Sequence, residues 1–191
     1  MPEISLLLFD AIANGGRKEV ARFLKQGANP NSKDSQGRTA LIFAAANGDP
    51  EIVKTLVKAG AKVDAKDEQG RTALTSAVSL GKLEAAKALL AAKADLEARD
   101  KGGWTPLMWA VELGQWEAAK LLIKSGADVN AKDKAGWTPL VHAFADMHLA
   151  GAELLISKGA KAYGKKAEGY NPLRLAAKHD RKLAKLAEKL E

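Results

Sequence analysis

The sequence contains no cysteine. Disulfide staples, thiolate catalysis and cysteine-based zinc sites are therefore excluded, and burial and hydrogen bonding alone must hold the fold. Aromatic residues are scarce at 5%, and histidine occurs three times. No window approaches the ~18 apolar residues of a membrane-spanning helix. Residues 6–9, Leu-Leu-Leu-Phe, run straight into Asp10 and are too short for a signal-peptide core. The lack of cysteine fits a cytoplasmic protein, which is the expected location, and is compatible with an exported one whose signal has been removed. No nucleophile has a base and an orienting group beside it in the pattern that covalent catalysis needs. No Gly-rich phosphate loop occurs either, because the glycines are accounted for by turns and helix ends. The chain reads as non-catalytic and without a cofactor.

What is present is an ordered composition, 47% hydrophobic and 28% charged, with a net charge of +7. Residues 160–191 carry nine Lys/Arg and four Asp/Glu, a net of +5. These lysines interleave with acids at helical spacing, which describes a solvated cap better than a nucleic-acid surface.

A 33-residue period dominates the chain. Asp34, Asp67, Asp100 and Asp133 keep the step, as do Thr39, Thr72, Thr105 and Thr138. Gly37, Gly70, Gly103, Gly136 and Gly169 follow it, and so do Leu41 and Ala44 with their equivalents through Leu173 and Ala176. Such a period marks a solenoid, in which each unit buries its apolar face against its neighbours. Within residues 34–66, Asp34-Ser35-Gln36-Gly37 predicts a turn and Thr39 a helix cap. Leu41, Ala44 and Ala45 share one helix face. Gly48 ends that helix, Asp49-Pro50 starts a second, Gly60 stops it, and residues 61–66 form an extended finger.

Trp104-Thr105-Pro106-Leu107 and Gly126-Ala127-Asp128-Val129-Asn130 closely resemble the ankyrin repeat. The resemblance implies an all-α ankyrin-repeat solenoid in one domain: a cap at 1–33, repeats at 34–66, 67–99, 100–132 and 133–165, and a C-terminal capping repeat at 166–191. The chain departs from the family in several places. Ile42, Thr75, Met108, Val141 and Arg174 replace the usual His after Thr-Pro-Leu. Lys93 and Met147 replace glycines, and Gly151 falls inside a second helix, where propensity alone costs about 1 kcal/mol against Ala.

The resemblance further implies a concave face of turn tips and first helices that binds a protein or peptide. By position, this face takes Arg38, Arg71, Trp104, Trp137 and Tyr170 at the tips. It takes Phe43, Trp109 and His142 in the groove, and Glu112, Leu113, Asp146, Lys178 and His179 at the helix ends, with Leu80 at the same place in repeat two. All four Trp and both Tyr lie between Trp104 and Tyr170, so the binding weight is expected in repeats three to five. Trp116 and His148 read as packing residues. His142, Asp146 and His179 fall together in what reads as a hydrated groove, and no metal is expected there. The expected partner is a protein or peptide, not nucleic acid or membrane, and the chain a monomer. Three other readings are a small-molecule or nucleotide receptor using Trp104 or Trp137 with Arg71 or Lys101, nucleic-acid binding by the basic cap, and an engineered ankyrin-repeat binder or scaffold. Strict phase favours the last; the irregular fourth repeat opposes it.

Overall fold

Each periodic threonine opens a helix. Its hydroxyl accepts from the backbone N–H three residues on: Ile42 N to Thr39 at 3.3 Å, Thr75 N to Thr72 at 3.3 Å, Met108 N to Thr105 at 3.3 Å and Val141 N to Thr138 at 3.4 Å. The computed structural model describes residues 2–161 and 180–188. First helices are α1 (Pro2–Ala13), α3 (Ala40–Asn47), α5 (Ala73–Ser79), α7 (Pro106–Glu112) and α9 (Pro139–Ala145). Second helices are α2 (Arg17–Lys25), α4 (Pro50–Lys58), α6 (Leu83–Ala91), α8 (Trp116–Lys124) and α10 (Leu149–Ser157), and α11 (Arg181–Glu188) packs on α10. Among the described residues there is no strand, only an isolated bridge between Lys33 and Thr39. The opening of the C-terminal capping repeat lies outside the described residues.

At the position where the resemblance expects His, two side chains serve the cap instead. The Thr75 hydroxyl lies 3.2 Å from that of Thr72, and the Met108 sulfur accepts from Thr105 N at 3.4 Å.

The first helices stack in series, α1 on α3, α3 on α5, α5 on α7 and α7 on α9. Ala44, Ala77, Ala110 and Ala143 are fully buried between them, beside Leu41, Leu74, Leu107 and Leu140. Each buried leucine contributes about 2 kcal/mol by removal of apolar surface from water. The small alanines let the first helices approach closely, and the second helices pack less tightly from α6 to α8. Turn tips and first helices share one side of the stack, its inner face.

The fingers are tied by a ladder of the same period. Lys33 and Lys66 donate to the backbone oxygens of Lys66 and Arg99, and Arg99 to that of Lys132. Asn31, Asp64, Glu97 and Asn130 each accept from a backbone N–H of the next finger. Every buried side-chain nitrogen and oxygen among the described residues has a partner.

Three irregularities have physical readings. Lys93 and Met147 sit at φ 62° and 55°, in the left-handed region that glycine occupies in other copies. A side chain there costs about 1 kcal/mol. Lys93→Gly and Met147→Gly are each expected to stabilise by roughly that amount, read as a higher urea midpoint at unchanged slope. A lower midpoint for either would contradict the strain. Gly151 departs from the propensity expectation. A Cβ built there would lie 2.5 Å from Trp116 Cζ3 and 2.6 Å from Cη2. The glycine is a slot for the indole, and Ala is the unfavourable residue. Trp116 also stands edge-on to His148 at 5.2 Å, and His148 Nε2 lies 3.2 Å from the Glu112 backbone oxygen. Both residues pack the third repeat on the fourth.

Candidate functional site

The inner face is organised by the turn aspartates. In the first three full repeats one carboxylate oxygen closes the turn: Asp34 Oδ1 accepts from Gln36 N and Arg38 N, Asp67 Oδ1 from Gln69 N and Arg71 N, Asp100 Oδ1 from Gly102 N and Trp104 N. Asp133 Oδ1 accepts from Trp137 N. The other oxygen reaches the inner face and takes a different donor in each half. Arg38 Nε donates to Asp34 Oδ2 at 2.7 Å, and Arg71 Nε to Asp67 Oδ2 at 3.0 Å. Trp109 Nε1 donates to Asp100 Oδ2 at 2.8 Å, and His142 Nε2 lies 3.0 Å from Asp133 Oδ2. Tip arginines and groove rings are thus fixed by the same acceptor.

These bonds gather the tryptophans. Trp104 lies 5.0 Å from Trp109 and 4.3 Å from His142, and Trp137 lies 5.3 Å from His142. The three indoles are half-buried. Rings at these tilted and edge-on spacings attract beyond the area they bury.

The expectation of a hydrated groove around His142 is corrected. His142 is 4% exposed, and Asp133, nine residues back, is its closest carboxylate. On its other side Nδ1 lies 3.4 Å from Glu112 Oε2. Burial holds its pKa below the ordinary 6.5, against the opposing pull of Asp133. The ring is therefore neutral at pH 7, and its single N–H serves Asp133 as a hydrogen bond, while Glu112 stands beside Nδ1 and hydrogen-bonds Asp146. Asp146, four residues on, is exposed and pairs with Glu112 instead. His179, Lys178 and Tyr170 lie outside the described residues. Among the described residues no group of three or more His, Asp or Glu is placed to hold a metal ion.

Glu112 is pushed up to about 7, first by burial and then by its hydrogen bond and like charge with Asp146. The folded chain keeps a proton here that the unfolded chain releases above about 4.5. Its stability contribution is thus present below that pH and lost as pH rises through 7. Glu112→Gln is expected to match the parent at pH 4.5 and exceed it by about 1 kcal/mol at pH 8, the shift being discounted because the side chain is 30% exposed. Thermal melts at the two pH values check this, and a gap that shrinks with rising pH would contradict it.

Leu113 and its equivalent Leu80 cap the ends of α7 and α5 and are 46% and 54% exposed. At the opposite end of the face, Arg38 lies 5.0 Å over the Phe43 ring, which meets Phe9 edge-on at 5.7 Å. Sequence reasoning missed Leu6 and Phe9, because α1 begins ahead of the repeat phase. Arg71, a candidate phosphate ligand, already spends its Nε on Asp67. No helix among the described residues is long and apolar enough to cross a membrane.

Comparison with known families agrees with this architecture. A model of three ankyrin repeats matches residues 8–100, and a single ankyrin-repeat model matches 102–134. A comparison with curated proteins finds no match. Ankyrin repeats are generally non-catalytic modules for protein–protein interaction. With helix pairs in one phase, threonine caps and laddered fingers, the chain belongs to the ankyrin-repeat family.

Proposed function

We propose that the chain is a non-catalytic module that binds a protein or peptide on its inner face, centred on repeats three and four. The observation that carries this reading is a cluster in which Trp104 and Trp137 stand on the buried His142 and Trp109 stands on Trp104. Large rings held in place by hydrogen bonds bury much area at little conformational cost on binding, which is why Trp dominates interface hot spots. Leu113, one helical turn past Trp109, and its equivalent Leu80 are held out to solvent and extend the apolar surface. Arg38 and Arg71 sit at the far end, where charges steer encounter more than they hold the complex.

Truncating a tryptophan would also loosen the packing around His142, so the exposed leucines are the cleaner probes. A partner captured from the source cell should lose at least about tenfold in affinity to Leu113→Asp and Leu80→Asp. It should bind Lys87→Glu and Lys120→Glu within about twofold, since those lysines make only exposed pairs with Glu84 and Glu117 on second helices. The reverse pattern would assign binding to the outer face.

A further inference from the structure

The first-repeat end of the inner face holds a cavity of about 700 Å³ between α1, the first finger and the Asp34 turn. Small-molecule sites span roughly 300–1,000 Å³ and pair an apolar lining with a few fixed polar groups. Phe9 and Phe43 form the aromatic lining. Leu6 is at the rim, 66% exposed although Leu8 and Ile12 of the same helix are fully buried. The polar element is Arg38. Its Nε is committed to Asp34 and its guanidinium lies over Phe43, so the group is oriented in advance. Its two terminal nitrogens make no hydrogen bond to a described residue, whereas the Ser5 and Ser32 hydroxyls bond each other at 3.0 Å.

The charges lining the cavity decide the sign of the ligand. Burial opposes ionisation of Asp34, but the Arg38 guanidinium and the turn N–H groups outweigh it and hold the carboxyl below its ordinary 3.8. Asp34 is thus an ionised, three-bond acceptor already spent within its own turn. Asp10 is on the α1 side and exposed, where solvent screens it, and Lys33 stands on the finger side. What remains unspent is a forked donor beside two phenyl rings. Arg71 makes the same bond to Asp67, but its groove neighbour is Ser76, so the second repeat has no such ring.

We propose that this cavity binds an aromatic or branched apolar group carrying a carboxylate. The apolar part lies on Phe9, Phe43 and Leu6, and the carboxylate accepts two parallel bonds from the terminal nitrogens of Arg38. The C-terminal residue of a peptide and a free aromatic acid both present this chemistry.

Three probes test it by amide chemical-shift titration of the whole chain: 3-phenylpropionate, acetyl-Ala-Phe as the free acid, and acetyl-Ala-Phe amide. Both acids should saturably shift amides within 5–10 and 32–43, and the amide should bind at least about tenfold more weakly. Arg38→Gln should bring the acids down to the amide's affinity and leave the amide unchanged. Leu6→Asp, at an exposed position, should abolish binding of both acids with the fold intact by circular dichroism. A tighter peptide acid would identify a chain terminus as the ligand, and a tighter phenylpropionate a free acid. Amide and acid binding alike, which needs no variant to observe, would overturn the proposal. So would the absence of shifts at these residues, or acid binding unaffected by Arg38→Gln.

Discussion

His142→Ala is expected to destabilise the chain by about 2–4 kcal/mol, read as a fall in the urea midpoint. Two losses add. The ring is 4% exposed and fills the space between Trp104 and Trp137, so its removal leaves a cavity that half-buried indoles close only in part. Asp133 Oδ2, on a side chain only 4% exposed in the parent, also loses its partner, and a buried acceptor without a donor costs about 1–3 kcal/mol. His142→Asn keeps a donor near Asp133 and should recover part of the loss. Acid should also destabilise the chain, by charging a buried ring rather than by emptying its space. The depressed pKa means that the neutral ring's contribution is complete above about 6.5 and lost as pH falls, the direction opposite to Glu112. A His142→Ala variant within about 0.5 kcal/mol of the parent would show that the indoles hold one another without the histidine.

The second large effect inverts a propensity rule. In a free helix Gly→Ala gains about 1 kcal/mol. At Gly151 the new methyl would meet two ring carbons of Trp116 at 2.5 and 2.6 Å, so α10 or the indole must shift. Overpacking of this kind costs about 1–3 kcal/mol, leaving a net loss of up to about 2 kcal/mol. The control is a double-mutant cycle. In a Trp116→Ala background the slot is empty, and Gly151→Ala should become neutral or stabilising. If Gly151→Ala stabilises the parent chain, the contact with Trp116 is not what places a glycine there.

The two sites show where sequence reasoning stops. Period, caps and helix ends were legible because they are local: Thr39 to Ile42, Asp49 to Ile52 and Gly48 at φ 92° are set within a few residues. Family positions also located the inner-face residues. What they could not supply was pairing. The helical rule places His142 beside Asp146, but the turn carboxylate of Asp133 folds back over the start of α9 and lies nearer. Gly151 looks like a flaw along α10 and becomes a slot only against Trp116 of the preceding repeat. Leu6 and Phe9 escaped because α1 starts at Pro2, ahead of the phase that defines the other first helices. One signal was available: the turn aspartate recurs beside changing neighbours, Arg, Arg, Trp and Trp, so its second oxygen must find a new donor in the later copies.

The most direct measurement of the binding assignment is a hydrogen-exchange footprint of the chain with its captured partner. Protection on binding should concentrate in 100–113 and 133–146, the turns and first helices that carry the tryptophan cluster, with little change in α4, α6 and α8. Protection confined to those second helices, with the tryptophan segments exchanging as in the free chain, would contradict the account.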